Sequence, residues 1–223
     1  KSLNCGLGSK DNPSDVKKNL QIVKKKIKNT AKNIFLLHQI HSNKFVFIDK
    51  KSKFISKPKA DAVITNQKNT PIGVLTADCV PILICDKKEN FVAAIHAGWK
   101  GAYKGIIKKV VKYLFRNGSE PKNLIAGIGP CINQKNYEVK KDFMTKFLRQ
   151  NKKNKIFFKK IKKKTYFSLN KYVYDQLRNL GLKKIDIIEK DTYNPKNNLF
   201  SARRSLRQNH EDYGRNISII MIN

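Results

Sequence analysis

The sequence has no apolar run long enough to cross a membrane, and its first residues lack the apolar core of a signal peptide. Its four cysteines form no CxxC pair and follow no disulfide-scaffold spacing. These absences argue against a helical membrane protein and a disulfide-stabilised secreted protein. We therefore expect a cytoplasmic protein with no membrane partner. The chain begins at Lys1 rather than Met, and we expect a further segment upstream.

Acidic residues and arginine are also scarce. There are 48 basic and 16 acidic residues, giving a net charge of +32, yet only seven of the basic residues are arginine. Such a charge suggests a nucleic-acid-binding protein, and we keep that function as an alternative. Proteins that recognise bases and phosphates rely on the planar arginine fork, however. A general bias towards lysine and asparagine explains the charge better, so we expect no specific nucleic-acid partner.

The remaining composition indicates a globular chain. With 223 residues, 40% of them hydrophobic, it is long enough for one domain with a substantial core, and we assign residues 1–223 to a single domain. Predicted strands precede, separate and follow the predicted helices without strict alternation. This order predicts an α+β fold, with mixed β-sheets and helices packed outside them, rather than a Rossmann-type fold. We expect a monomer or a homodimer.

The most informative stretch runs from residue 77 to residue 101. Two apolar runs, 81–85 and 91–95, flank a short polar turn, which predicts two buried strands joined as a hairpin. Cys79 stands just before the first strand and His96 just after the second, so pairing would bring these side chains together. The small residues in the stretch 97–101, directly after His96, would allow close backbone approach.

Other segments frame this hairpin. We predict a strand that begins at Ile34 and continues to His41, with His38 pointing to the opposite face from His41. A helix is predicted from Gly101 to about Asn117. We predict an exposed hairpin in the basic run 152–164, and we interpret 200–204 as a polar connection.

His41, Cys79 and His96 could converge on one site. Two imidazoles and a thiolate form a good zinc ligand set with a fourth position open for water or substrate. The alternative without a metal has Cys79 as nucleophile and His96 as general base, with Asp78 or His41 as orienting group, as in a Cys-His hydrolase. A buried cysteine and two strand-end histidines without chemical function are a third possibility. The residues alone leave these possibilities open.

Five ordered motifs add a family resemblance. They are HQIHS (38–42), TADCVPILICD (76–86), IHAGWKG (95–101), IGPCI (128–132) and FSARR…GRNISII (200–204, 214–220). Together they resemble the laccase-like family, first described as multicopper polyphenol oxidases and later as bacterial purine nucleoside phosphorylases. The resemblance covers nearly the whole chain.

The resemblance implies a zinc cofactor held by His41, Cys79 and His96, at the face where purine nucleosides bind. It also implies phosphorolysis of adenosine, inosine, guanosine or methylthioadenosine, and adenosine deamination as a further activity. Zinc in such a site acts as a Lewis acid. We expect purine nucleosides and phosphate as the small-molecule partners.

Further candidates follow from the chemistry. Phosphorolysis needs cations for its anionic nucleophile, and Arg203, Arg204 and Arg215 are candidates by chemical type. Each of them could instead form an ordinary structural ion pair. Asp78 is predicted to orient a ligand histidine, to relay a proton, or simply to cap a strand end.

Two mechanisms that the family's activities suggest, multicopper oxidation and deamination of the common zinc nucleobase deaminase type, do not fit the residues. A multicopper oxidase needs a blue-copper site and a histidine-rich trinuclear cluster, and the sequence has only four histidines. The common zinc nucleobase deaminases carry H-x-E together with P-C-x-x-C, and both motifs are absent. Asp191 stands where the family usually has a cysteine before Thr192, so no role of that cysteine is carried over.

Overall fold

A computed structural model describes residues 2–28, 31–53, 55–88 and 90–223. The α-helices in these ranges are α1 (Pro13–Ile27), α2 (Trp99–Tyr103), α3 (Ile106–Arg116), α4 (Lys141–Gln150), α5 (Leu169–Asn179) and α6 (Ala202–Arg207). The strands are β1 (Phe35–Leu36), β2 (Phe45–Ile48), β3 (Ala62–Thr65), β4 (Ile72–Thr76), β5 (Val80–Asp86), β6 (Phe91–Ala97), β7 (Leu124–Ile128), β8 (Glu138–Val139), β9 (Phe158–Ile161), β10 (Lys164–Phe167), β11 (Lys184–Ile187) and β12 (Asn216–Ile220). None of the helices in the described ranges is long and apolar enough to span a bilayer.

The largest sheet has six strands in the order β11-β7-β5-β6-β3-β2. Its inner pairs are antiparallel and its two edge pairs are parallel. Helices α3 and α5 pack on one face, and the three-stranded sheet β1-β4-β12 packs on the other. A third sheet, β8-β10-β9, lies near α4. The predicted α+β fold, with mixed sheets and helices outside them, is confirmed.

Burial on both faces explains the apolar run 91–95 of β6, and every residue of the strand, including the polar His96, is buried. Ala93 and Ile95 belong to the core beneath the helices, whereas Val92 and Ala94 belong to the core shared with the small sheet. Because side chains alternate along a strand, His96 lies on the same face as Val92 and Ala94. The sheet pairing thus determines the side of the molecule to which this histidine belongs.

The strand predicted from Ile34 to His41 is wrong in length. Only Phe35 and Leu36 pair with β4, and His38 forms an isolated bridge. Beyond that point the side-chain amide of Gln39, and not its backbone, forms the hydrogen bonds to β4. Its Nε2 donates to the Leu75 carbonyl at 2.7 Å, and its Oε1 accepts the Leu75 N–H at 2.8 Å. The chain then turns, and His41 has a φ of 56°. The expectation that His38 and His41 face opposite sides of a strand therefore fails, because both line one cavity.

Three other segments refine the predictions. The helix expected from residue 101 to residue 117 is two helices, α2 and α3, because Gly105 between them has a φ of 78°. The hairpin expected in 152–164 lies further along, at 158–167, where β9 and β10 pair; a 3₁₀-helix spans Lys152–Phe157, and Phe157 at its end is buried. The connection at 200–204 contains the start of α6, which is capped by the Ser201 hydroxyl accepting the Arg204 N–H at 3.1 Å.

Candidate metal centre

Three side chains from three separate segments meet at one edge of the large sheet. The ligand atoms of His41, Cys79 and His96 all lie within 4.8 Å of one another. Cys79 Sγ is 3.8 Å from His41 Nε2, and the two imidazole rings meet edge to face with their centroids 4.7 Å apart. His96 is buried, Cys79 is half-buried and His41 is exposed, so the cluster opens to solvent on the His41 side.

The β5–β6 hairpin accounts for two of the three positions. Its register pairs Val80 with Ala97, which places Cys79 and Gly98 at the same end of the two strands. The predicted juxtaposition of Cys79 with His96 is thereby confirmed. Gly98 has no room for a side chain: a Cβ there would lie 2.8 Å from His41 Cδ2 and 2.9 Å from Cys79 Sγ. A glycine at this position lets both ligands approach the strand end.

Asp61 organises the centre, and it was not among the predicted site residues. It is fully buried just before β3, and its Oδ1 lies 2.9 Å from His96 Nδ1. Oδ1 also accepts the backbone N–H groups of Ile40 and His41, at 3.1 and 2.9 Å. Oδ2 accepts the N–H and the hydroxyl of Ser42, at 2.6 and 2.7 Å. One carboxylate thus binds both histidine-bearing segments. No local sequence pattern marks it, because its partners lie 19 to 35 residues away along the chain.

The electrostatics of the cluster follow from these contacts. Burial alone would raise the pKa of Asp61, but hydrogen bonds from His96 and Ser42 outweigh it and lower the pKa to about 2. Burial would likewise raise the pKa of the Cys79 thiol, but the charge of His96 and a hydrogen bond with His41 lower it. The pKa of His96 is raised because the Cys79 thiolate and Asp61 outweigh its own burial. Without a metal, the centre favours a thiolate beside an imidazolium.

Asp78 contacts neither histidine. Its Oδ1 accepts the Thr192 hydroxyl at 2.6 Å, and its Oδ2 accepts the Arg203 backbone N–H at 2.6 Å. The suggestion that Asp78 orients a ligand histidine is therefore wrong, because both of its carboxylate oxygens are bound to other segments and Asp61 makes that contact. Asp78 has a φ of 85° directly before Cys79, so its contacts fix the turn that presents the thiol. A role in proton transfer stays a prediction.

Two of the three candidate arginines, Arg203 and Arg204, do not line the cavity at the cluster. The guanidinium of Arg204 donates to three backbone carbonyls within 192–199, which is the structural alternative considered for it. Arg203 donates to a carbonyl of β8, and its guanidinium lies 5.4 Å from the centre of the Tyr137 ring. Arg203 lines a lysine-rich surface pocket next to β8 and β10, separate from the cavity at the cluster.

Arg215 lies in the cavity that the cluster faces. This cavity has a volume of about 460 Å³. It is lined by Gly6, Leu7, Gly8, Leu37, His38, Gln39, His41, Lys57, Leu75, Thr76, Ala77, Cys79, His96, Tyr213 and Arg215. The Arg215 guanidinium stacks on the Tyr213 ring, with its carbon 4.0 Å from the ring centroid. Asn4 holds this wall in place, since its Oδ1 accepts the N–H groups of Gly6 and Arg215.

The donor set can be tested against the chemistry of metal sites. Two imidazole nitrogens and one thiolate, grouped within 4.8 Å and facing a cavity, could hold a metal ion with one coordination position left for a further ligand. Asp61 on the far side of His96 supplies the carboxylate–histidine contact that commonly supports a metal-bound imidazole. An α+β domain with a His–Cys–His centre at the mouth of a cavity is the class of protein that this fold and site define.

Comparison with known proteins identifies the family. Residues 1–223 match the family described as multi-copper polyphenol oxidoreductase laccase, and the chain belongs to this family. The resemblance inferred from the five motifs is thereby confirmed. Despite the multi-copper description, the group that could hold a metal ion among the described residues is this one set of three side chains, which would accommodate a single ion.

The relatives cover most of the chain. Purine nucleoside phosphorylase of Rickettsia conorii is 40% identical over 189 residues, which are 84% of this chain and 77% of the relative. Purine nucleoside phosphorylase of Haemophilus influenzae is 35% identical over 206 residues, which are 91% and 82% of the two chains. Among solved structures, a Neisseria meningitidis protein has a TM-score of 0.85 at 28% identity, covering 100% of this chain and 87% of its own. The hypothetical protein YfiH of Bacillus licheniformis has a TM-score of 0.89 at 26% identity, covering 100% and 86%.

Proposed function

We propose that this chain is a zinc-dependent purine nucleoside phosphorylase that acts on adenosine, inosine, guanosine and methylthioadenosine, with adenosine deamination as a second activity. The observation that carries the proposal is the grouping of His41, Cys79 and His96 at a cavity whose lining also includes a cation, Arg215. The names of the Rickettsia and Haemophilus relatives support the reaction class. The cavity volume of about 460 Å³ lies within the usual range for small-molecule sites.

His41, Cys79 and His96 would hold the zinc ion, which when bound acts as a Lewis acid on an oxygen of its fourth ligand. The chain's own contribution is to keep that ligand set in place. Asp61 accepts from Nδ1 of His96, which leaves Nε2 of the same ring for the metal side of the cluster. The Cys79 thiol is held beside both imidazoles, which favours the thiolate that a metal requires.

Arg215 is the candidate for binding phosphate. Its Nη1 is buried without a hydrogen-bond partner among the described residues, and it forms a long ion pair with Oδ1 of Asp212 at 3.6 Å. A buried donor of this kind gains a strong hydrogen bond when an anion enters the cavity. The side chain is also oriented in advance, because its guanidinium stacks on Tyr213. Arg215 would therefore place the anionic nucleophile in the same cavity as the nucleoside.

A second candidate is a metal-independent hydrolase with Cys79 as nucleophile and His96 as base. The lowered pKa of the Cys79 thiol beside His96 favours it, since a thiolate–imidazolium pair is the active form of such enzymes. In this scheme His41 would at most orient the reacting groups. The two candidates share the same residues and differ in whether a metal is needed.

Demetallation separates them. Purified protein is assayed by product chromatography on adenosine with phosphate, before and after treatment with a chelator and after zinc is returned. We expect nucleobase and ribose 1-phosphate to form with zinc, and turnover to be lost on chelation and restored by zinc. Full turnover by protein that metal analysis shows to be free of zinc would overturn the metal mechanism. Trapping of a covalent adduct on Cys79 by a thiol-alkylating substrate analogue would then support the hydrolase.

A further inference from the structure

The two histidines of the cluster depend on the same buried side chain. His96 lies at the end of β6, and its ring nitrogen Nδ1 is 2.9 Å from Asp61 Oδ1. The backbone N–H of His96 also donates to the Asp61 carbonyl at 2.7 Å. His41 lies in a separate turn with a φ of 56°, and its N–H donates to Oδ1 at 2.9 Å. Asp61 therefore contacts the side chain of one ligand and the backbone of the other.

We propose that Asp61 is the positioning residue of the centre, which sets the nitrogen that His96 presents and holds the turn of His41 at metal-binding distance from Cys79. This inference rests on the proposed metal site and adds to it a residue outside the ligand set. By accepting from Nδ1, the carboxylate makes Nε2 the nitrogen of His96 that faces the cluster. By accepting from the His41 turn, it fixes a backbone with positive φ, which is uncommon for residues other than glycine.

The hydrogen-bond pattern requires a carboxylate and not merely a polar side chain of that size. Donors approach both oxygens: His96 and the backbone N–H groups of Ile40 and His41 approach Oδ1, and the N–H and hydroxyl of Ser42 approach Oδ2. An asparagine would place an NH₂ group against one of these donor sets. The substitution Asp61→Asn keeps the shape of the side chain and therefore tests the charge and the acceptor pattern.

A purely structural role would give a different result. If Asp61 only stabilised the fold, Asp61→Asn would lower the melting temperature and leave the properties of the folded, metal-loaded protein unchanged. A positioning role predicts altered metal binding in protein that remains folded. Asp86 offers a matched control, because it is also a buried aspartate and lies at the opposite end of the β5–β6 hairpin, where Asp86 pairs with Phe91.

The experiment compares wild type, Asp61→Asn, Ser42→Ala and Asp86→Asn. Zinc affinity is measured by competition with a chromophoric chelator, and the ligand geometry is read from the visible spectrum of protein saturated with cobalt(II). We expect Asp61→Asn to weaken zinc binding by about 10- to 100-fold, as is typical when the hydrogen-bond partner of a metal ligand is lost. We also expect its cobalt spectrum to differ from that of wild type at full occupancy. Asp86→Asn is expected to match wild type in both.

Ser42→Ala keeps the inference testable if Asp61→Asn fails to fold. It removes the Ser42 hydroxyl, which donates to Oδ2 of Asp61 and also accepts the exposed Lys44 N–H at 3.1 Å, but it leaves the backbone N–H groups that donate to Asp61. We therefore expect a smaller loss of zinc affinity, about 2- to 10-fold, because Asp61 itself loses one hydrogen bond. Wild-type zinc affinity and cobalt spectrum in a folded Asp61→Asn variant, or in Ser42→Ala where only that variant folds, would overturn the proposal. If wild type binds zinc but does not turn over nucleosides, the proposed function fails while the role of Asp61 is still decided by these measurements.

Discussion

Alanine in place of Gly98 would insert a methyl group between two side chains of the cluster. Its Cβ would lie 2.8 Å from His41 Cδ2 and 2.9 Å from Cys79 Sγ. Non-bonded carbon atoms prefer about 3.5 to 4.0 Å, so the neighbours would have to move by roughly 0.7 Å or more. Gly98 has a φ of −68°, which alanine adopts without strain, so the effect is a matter of space alone.

The direction of the movement follows from burial. The His41 ring is exposed and can swing outwards, whereas Cys79 is held at the start of β5. We therefore expect Gly98→Ala to destabilise the fold only modestly, by about 1 kcal/mol at the lower end of overpacking costs. The displaced ligand should matter more for function, because a misplacement of about 1 Å can lower a catalysed rate by roughly 100-fold.

The assay combines zinc content, thermal unfolding and nucleoside turnover. Gly127→Ala is the matched control, since a Cβ at Gly127 meets no atom within 4 Å and the residue also lies in the large sheet. We expect the control to retain zinc and activity, and Gly98→Ala to lose both while it remains folded. A Gly98→Ala protein with wild-type zinc content and turnover would refute the conclusion that His41 and Cys79 act at the same metal position.

Three further predictions concern other parts of the molecule. Thiol alkylation of folded, demetallated protein at pH 7, mapped by mass spectrometry, should modify Cys79. It should spare Cys5 and Cys131, because burial raises their thiol pKa values to about 11 and about 12. Zinc should protect Cys79 from alkylation, and equal labelling with and without zinc would contradict the role of Cys79 as a ligand. Arg215→Gln should raise the KM for phosphate roughly tenfold or more, because it removes a charged hydrogen-bond donor. Arg149 is exposed, and Arg149→Gln should leave this KM unchanged. An unchanged KM in Arg215→Gln would exclude Arg215 as the phosphate ligand. Binding to duplex DNA, measured by fluorescence anisotropy, should be sequence-independent and abolished by moderate salt; discrimination between sequences at physiological salt would favour the nucleic-acid alternative.

The sequence alone predicted the part of the centre that depends on local pairing. Two apolar runs around a polar turn defined the β5–β6 hairpin, and antiparallel pairing then placed Cys79 beside His96. Such a prediction needs only the alternation of strands and turns. The small residues in the stretch 97–101 likewise indicated close approach, and at Gly98 a Cβ would lie only 2.8 Å from the His41 ring.

The contribution of His41 could not be derived in the same way. The residues from Ile34 onwards have the composition of a strand, but the Gln39 side chain replaces the backbone pairing and the chain turns with positive φ at His41. Strand periodicity therefore gave the wrong relation between His38 and His41. Asp61 was missed for a related reason: its partners lie 19 to 35 residues away in sequence, and no local pattern marks a carboxylate that binds so many distant donors.

Two aspartates, Asp61 and Asp78, connect family motifs that are far apart in the sequence. Asp61 binds the turn of HQIHS to the histidine of IHAGWKG, and Asp78 binds the cysteine turn of TADC to Thr192 and to the first turn of the FSARR helix. In both cases a carboxylate fixes a ligand-bearing turn with positive φ, at His41 and at Asp78 itself. Conformations of this kind cost free energy and persist where surrounding contacts determine them. Because these contacts are made by the protein's own groups, the fold itself fixes the turns that carry the proposed ligands.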